Sequence, residues 1–186
     1  MNVFSTYIHK SNNIQLADSL YDECKNILNN TNSHNDYENG KTTYFDMNLK
    51  LNNNFFMFIM QEAEKYLEHI KSKKYNLTLD NVWLSELNND GEHGLHVHTG
   101  SILSGTFYVH TPEGSGNLCF SRHEWASDPF SLLEFKEYNQ YNSLQWNFTP
   151  NKGDLYIWKS DLPHRVTRNK NDSRITISFN IGVENV

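Results

Sequence analysis

The chain has 186 residues, and its 16 lysines and arginines against 22 aspartates and glutamates give a formal net charge of −6. The basic residues are scattered rather than striped, which argues against a broad phosphate-facing surface and therefore against nucleic-acid binding. Two distant cysteines offer no disulfide framework or zinc–thiolate site, and no apolar run approaches the ~20 residues of a membrane span. With no recognisable signal peptide, we expect a cytoplasmic protein without membrane partners.

Two amphipathic helices are predicted in the first part of the chain, over about residues 14–74. Apolar residues recur there at three- and four-residue spacing, in residues 16–28 and again in residues 55–70. That spacing puts them on one face of a helix, which can then pack against a core. The polar run 29–36 between them has nothing to bury and is predicted to be a loop.

From about residue 77 to 183 the pattern changes to period two, and β-branched and aromatic residues dominate. Eight short strands are predicted, separated by Gly, Pro, Asn and Asp turns. They cover residues 79–87, 95–99, 102–110, 116–121, 143–148, 154–158, 165–168 and 174–183. Such a series favours an antiparallel jelly roll or barrel. The prediction is one domain, 1–186, mainly β with flanking helices and with an insertion or lid at about 122–141.

Histidines are concentrated at the start of this β-rich part. His93, His96 and His98 fall within six residues. Residues two apart in a strand point to the same face, so His96 and His98 can bind one ion together. His164, from a distant strand, would complete a three-point site, and neutral imidazole suits Fe, Zn, Cu and Ni. His93, in a glycine-flanked turn, is expected to support the site or contact substrate.

Spacing alone leaves three kinds of site open. A zinc site made only of histidines would activate water. A cupin site also begins with His-x-His but needs a glutamate four or five residues later, and residues 99–103 contain none. The third kind is non-haem Fe(II) with 2-oxoglutarate, and Arg174 favours it because a guanidinium fork pairs with a carboxylate. Thr176, on the same strand face, can add a hydroxyl donor.

Several segments, in order and spacing, resemble a family of 2-oxoglutarate/Fe(II) oxygenases. They are residues 96–109, 112–120, 153–158, 163–166 and 174–180. The resemblance covers roughly residues 80–183 and implies a double-stranded β-helix, a cupin-like jelly roll with iron at its mouth. It also implies 2-oxoglutarate as co-substrate and hydroxylation of a C–H bond. The substrate, a small molecule or a peptide, is not indicated, and a homodimer is a further expectation.

The resemblance suggests roles for the histidines. His96 and His164 match the two iron ligands, and His98 stands where the wider superfamily has Asp or Glu. Replacing that carboxylate by imidazole leaves the site one negative charge short. An alternative register, with Gly100 in the acid position and an open coordination site, would resemble a halogenase. Three-histidine ligation is the preferred prediction.

The resemblance also suggests where the co-substrate binds. Arg174 and Thr176 match the site for the 2-oxoglutarate carboxylate. Tyr108 resembles a tyrosine that contacts the same molecule, and Ser104 is predicted to share its inward face and this site. Two alternatives stay open: a zinc or cupin-like three-histidine enzyme without 2-oxoglutarate, and a non-catalytic ligand-binding β-barrel.

Tryptophans are the other notable residues. Trp83, Trp146 and Trp158 are predicted to pack the barrel, since aromatic residues on alternating strands usually do so. Trp125, in the predicted lid, is the better candidate for a substrate contact.

Overall fold

The computed structural model describes residues 5–31, 38–45, 49–122 and 132–184. Trp125 and the first half of the predicted lid therefore lie outside the described residues. Residues 132–141 form turns and bends without strand pairing. No helix in the described ranges is long and apolar enough to cross a membrane.

Two helices occur where the apolar spacing predicts them: α1, Ile14–Asn29, and α2, Asn53–His69. Each begins after an asparagine whose side chain accepts a backbone N–H of the first turn, Asn13 for α1 and Asn52 for α2. Such caps satisfy donors that the helix itself leaves free. The buried faces of the two helices join one hydrophobic core with the sheet.

The described residues contain more strands than the sequence predicts. The nine strands are β1, His9–Asn12; β2, Glu38–Thr42; β3, Leu77–His96; β4, Leu103–His110; β5, Leu118–Ser121; β6, Gln145–Phe148; β7, Asp154–Lys159; β8, His164–Val166; and β9, Arg174–Val183. The first two were not predicted, because they are short and polar. The predicted strands 79–87 and 95–99 are also wrong as separate units: one long strand, β3, runs to His96, and the chain beyond it is not strand.

All strand pairs are antiparallel and form two sheets that share β3. The larger sheet has the order β1-β7-β4-β9-β3-β2, and the smaller sheet has the order β3-β8-β5-β6. The first half of β3 pairs with β9, and its end pairs with β8. Because one strand belongs to both sheets, the sheet curls around a space between them. The predicted double-stranded β-helix with flanking helices is confirmed.

The larger sheet separates an apolar face from a polar one, as β9 shows. Its apolar residues join the core under the helices: Ile175, Ile177, Phe179 and Ile181. The residues between them, which point to the other face, are Arg174, Thr176, Ser178 and Asn180. Alternation of this kind is what a pleated strand requires when one face is buried under helices. The polar face is where the functional site lies.

The turn before β7 fixes α1 against the sheet. Gly153 has φ +82°, and a Cβ placed on it would lie 2.8 Å from backbone atoms of Ile14. Its carbonyl accepts the N–H of Asn13 (2.8 Å), and its own N–H donates to the carbonyl of Tyr108 (2.8 Å). Only glycine combines this conformation with so close an approach.

Candidate active site

A pocket opens between the polar faces of the two sheets. It holds about 490 Å³ of space, open solvent at its mouth included. The described lining residues are Trp83, Ser85, Leu87, His93, His96, His98, Gly105, Thr106, Tyr108, Leu118, Trp158, His164, Val166, Arg174, Thr176 and Ser178.

Three histidines converge at one side of this pocket. His96 ends β3 and pairs directly with His164, the first residue of β8. One ligand atom from each of these residues and from His98 lies within 4.8 Å of the other two. The strand argument for His98 is wrong, however, because β3 ends two residues before it. Its place is set instead by the loop, where the N–H of His98 donates to the carbonyl of Ser160 (2.9 Å).

Hydrogen bonds fix which nitrogen two of these rings present. The Nδ1–H of His96 donates to the carbonyl of Gly94 (2.8 Å), and the Nδ1–H of His164 donates to the carbonyl of Leu162 (2.9 Å). A carbonyl can only accept, so the Nε2 of each ring keeps its lone pair. This is the usual second contact of a metal-binding imidazole.

Burial keeps the three imidazoles neutral. It lowers the pKa of His96, lowers the pKa of His98 to about 4, and holds the pKa of His164 well below its usual 6.5. A smaller contribution to His98 and His164 comes from the neighbouring imidazoles. Three neutral nitrogen donors within 4.8 Å of one another are a donor set that a first-row divalent metal such as Fe(II) can use.

Arg174 supplies a buried positive charge to the same pocket. Its side chain is almost fully buried, with the residue 2 % exposed, and its Nε has no hydrogen-bond partner among the described residues. No carboxylate in the described chain forms an ion pair with it. The guanidinium carbon lies 4.9 Å from the centre of the Tyr108 ring. A buried guanidinium without an acidic partner can pair with an anionic ligand.

Two hydroxyls lie beside this guanidinium. Burial raises the pKa of Tyr108 to about 12, although Arg174 opposes the shift, so the phenol keeps its proton at neutral pH. Its oxygen is buried and has no hydrogen-bond partner in the described part of the chain. Thr176 follows on the same face of β9 and also lines the pocket. Together these groups offer donors to a carboxylate.

Ser104 is the predicted site residue that the structure does not bring to the pocket. Its hydroxyl donates to Asn180 Oδ1 (2.7 Å) and lies 2.9 Å from Ser160 Oγ. It therefore contacts the residue whose carbonyl holds His98, and it lies outside the pocket lining.

His93 lies on a strand beside His96, and not in the glycine-flanked turn that the sequence predicts. It is part of β3, and the pairing of β3 with β8 shifts register between His93 and His96. Between these two pairs, Gly94 and Leu95 of β3 oppose the single residue Arg165 of β8, so one extra residue brings both histidines to the pocket face. The centres of their rings lie 4.1 Å apart. No pattern in the sequence indicates this bulge.

The tryptophans also differ from their predicted packing roles. Trp158 and Trp83 do not only pack the sheet; both line the pocket, with ring centres 4.8 Å from His164 and 5.6 Å from His98. Trp146 is 45 % exposed on the edge strand β6, so its predicted core position is wrong. Pocket-facing and core-facing aromatic residues share the same period-two pattern, so the sequence cannot separate them.

The sequence profile of the family described as "Putative 2OG-Fe(II) oxygenase" matches residues 81–180, more than half of the chain. The chain belongs to this family. Fe(II) is therefore the metal of this oxygenase, and 2-oxoglutarate is its co-substrate. The match spans the histidine cluster and Arg174. No curated protein sequence matches the chain.

Solved structures with the same fold include enzymes that catalyse different reactions, hydroxylation and epimerisation. The oxygenase superposes on a prolyl-4-hydroxylase of Pseudomonas putida with a TM-score of 0.68 at 11% identity, covering 97% of this chain and 95% of that one. It superposes on the epimerase SnoN from nogalamycin biosynthesis with a TM-score of 0.67 at 12% identity, covering 96% of this chain and 79% of that one. A Trichoplax adhaerens prolyl hydroxylase, solved with a hypoxia-inducible factor peptide, matches with a TM-score of 0.64 at 12% identity. That match covers 95% of this chain and 83% of the other. At such identities the likeness shows the fold.

Proposed function

We propose that this oxygenase is a hydroxylase that holds Fe(II) through His96, His98 and His164. The grouping of their ligand atoms within 4.8 Å supports this set over the register that would use Gly100. The hydrogen bonds at the Nδ1 atoms of His96 and His164 support coordination through Nε2. The burial of the cluster supports neutral ligands that need no proton release when the metal binds.

We further propose that Arg174, Tyr108 and Thr176 hold the far carboxylate of 2-oxoglutarate. The single observation that carries this proposal is the buried, unpaired Nε of Arg174 in the pocket that contains the histidines. A carboxylate that accepts two hydrogen bonds from the guanidinium would satisfy its unpaired donor, and the Tyr108 hydroxyl would donate to the same carboxylate. The other end of the co-substrate would then point towards the histidine cluster.

The residues around the cluster orient the reactants and exclude water. When held by these residues, Fe(II) would supply the activation of dioxygen that couples oxidative decarboxylation of 2-oxoglutarate, to succinate and CO2, with insertion of the second oxygen atom into a C–H bond of the substrate. Trp83 and Trp158 cover two of the imidazoles with apolar surface, which strengthens the electrostatic contacts inside the pocket. His93 occupies the pocket face beside His96, where it can contact a substrate.

The substrate is proposed to be a small molecule or a peptide. Structures of similar fold supply both precedents, because one is a prolyl hydroxylase solved with a peptide and another is an epimerase from nogalamycin biosynthesis. The homodimer, the cytoplasmic location and the single domain stay predictions. Light scattering tests the first of them.

Anaerobic reconstitution tests the proposed function. Purified protein is mixed with Fe(II), then with 2-oxoglutarate, and we expect a visible metal-to-ligand band that neither component gives alone. Admitting oxygen should bleach the band and release succinate, measured by mass spectrometry. A protein that shows no band and no succinate, and that is purified with one equivalent of zinc, would contradict the proposal and favour a zinc enzyme.

A further inference from the structure

The pocket lining has an unbalanced charge. Its described residues include four imidazoles and one guanidinium, and neither aspartate nor glutamate is among them. Nearby carboxylates on β3 are engaged elsewhere. Glu86 pairs with Lys25 (2.6 Å) and accepts a hydrogen bond from Ser173, and Glu92 lies 4.0 Å from Arg168. The described lining of the pocket therefore supplies no carboxylate that could neutralise the site.

The imbalance persists when the proposed ligands bind. Fe(II) brings two positive charges and Arg174 brings one, whereas 2-oxoglutarate brings two negative charges and the three imidazoles bring none. One positive charge is left over in a largely buried site. A carboxylate at position 98 would cancel it, but His98 stands there. Because an unpaired buried charge is costly, the loaded site should attract one further anion.

His93 offers this anion a contact on the open side of the pocket. The bulge in β3 turns its ring to the pocket face, beside His96. The side chain is only half-buried, so it lies nearer to solvent than His164, which is 4 % exposed. An imidazole N–H is a good donor to an oxyanion. His93 lies outside the group of three histidines whose ligand atoms converge. It can therefore contact a substrate without any change in the proposed metal ligands.

We propose that the substrate of this oxygenase carries a carboxylate, which binds against His93 and supplies the negative charge that an acidic metal ligand would supply. This inference rests on the proposed function. It selects organic acids, or peptides with an acidic or free carboxyl end near the reacting carbon, over neutral substrates. A small inorganic anion such as chloride has the same charge, and the experiment separates the two sources.

The test uses the full chain loaded with Co(II) and 2-oxoglutarate, with acetate and its neutral isostere acetamide as probes. Binding is followed by calorimetry and by the visible Co(II) absorption. We expect acetate to bind at least tenfold more tightly than acetamide.

His98→Asp should reduce acetate affinity at least tenfold, because the aspartate supplies the missing negative charge. His93→Phe should reduce it about fivefold, through loss of the donor. His110→Gln, which changes a histidine outside the pocket, should leave it unchanged.

Several outcomes would overturn the inference. Equal binding of acetate and acetamide would do so, as would unchanged acetate binding in both His98→Asp and His93→Phe, with folding verified by thermal melts. Chloride that displaces acetate at equal concentration would indicate an inorganic-anion site instead. Loss of Co(II) or 2-oxoglutarate binding by the unchanged protein would refute the proposed function, and this inference with it. A panel of carboxylic acids that speeds succinate release more than the matched amides would support the carboxylate substrate.

Discussion

Arg174 is the side chain on which the proposed co-substrate site depends most. Arg174→Ala should weaken 2-oxoglutarate binding by about 10- to 100-fold, because a charged hydrogen bond contributes roughly 1.5–3 kcal/mol. Fe(II) binding should be retained, since the histidine cluster does not contact Arg174 through any described hydrogen bond. Calorimetric titration of each ligand separates the two effects.

The matched control for this substitution is Arg168→Ala, which removes an arginine that is mostly exposed and lies near Glu92. It should leave both affinities unchanged. Equal loss of iron and of 2-oxoglutarate in Arg174→Ala would argue against the assigned role, because it would indicate a structural defect.

Tyr108 permits a sharper separation of function from stability. Its buried hydroxyl has no partner in the described part of the chain, so Tyr108→Phe removes an unsatisfied group from the ligand-free protein. The free energy of unfolding should stay equal or rise by up to about 1 kcal/mol, while 2-oxoglutarate binds about three- to tenfold more weakly. Urea unfolding and calorimetry measure the two. A destabilised protein with unchanged 2-oxoglutarate affinity would contradict the proposal.

At the residue scale, the sequence predicts the chemistry better than the contacts. His96, His98, His164 and Arg174, which the structure brings to one pocket, are singled out because the proposed metal ligation and carboxylate binding demand particular side chains. Ser104 could not be distinguished from pocket residues, since its neighbours on β4 alternate in the same way and only the tertiary contacts show that it binds Asn180 and Ser160.

Among the elements, β4 and β9 approach each other closely at Gly105. Gly105 lies opposite Phe179, and a Cβ on Gly105 would lie 2.3 Å from Cζ of that ring. Gly105→Ala should therefore lower the free energy of unfolding by about 1–3 kcal/mol, the usual cost of overpacking a core. Chemical denaturation measures the change.

Gly94→Ala is the matched control for this substitution. Nothing lies within 4 Å of a Cβ at Gly94, and its φ is not positive. The change should be close to neutral, or slightly stabilising through the unfolded state. Similar losses at both positions would show that packing against Phe179 does not explain the effect.

The elements themselves were predicted unevenly, for physical reasons. The helices carry a long periodic signal, and the larger strands carry strict alternation, so both were found. The polar strands β1 and β2 are paired only because a neighbouring strand offers free backbone groups. The bulge that brings His93 beside His96 depends on pairing with β8, which is about 70 residues away along the chain.

For the whole molecule, the histidine cluster makes stability depend on pH. Burial lowers the pKa of His93 to about 3 and that of His98 to about 4, whereas both titrate near 6.5 in an unfolded chain. Below pH 6.5 the unfolded chain therefore binds more protons than the folded one. The stabilisation is fully present above pH 6.5 and is lost as the pH falls towards 4. The metal-free protein should lose more than about 1 kcal/mol per pH unit in this window.

Urea unfolding in a chelator at pH 7, 6 and 5 measures this slope. His98→Gln removes one titrating group and should make the slope shallower. An identical slope in the variant would show that the cluster does not cause the pH dependence. Saturating metal should add stability at pH 7, by about 2.7 kcal/mol at a hundredfold excess over its dissociation constant.

Because β3 belongs to both sheets, the length of this strand sets the distance between Arg174 and the histidine cluster. Leu87, the partner of Arg174, and His96, the partner of His164, lie on the same strand, with the bulge just before His96. Each residue added or removed between them would turn the imidazole to the opposite side of the sheet while leaving the arginine in place. Changing the length of residues 88–95 would shift His96 relative to Arg174, and so separate the proposed iron ligands from the proposed co-substrate site.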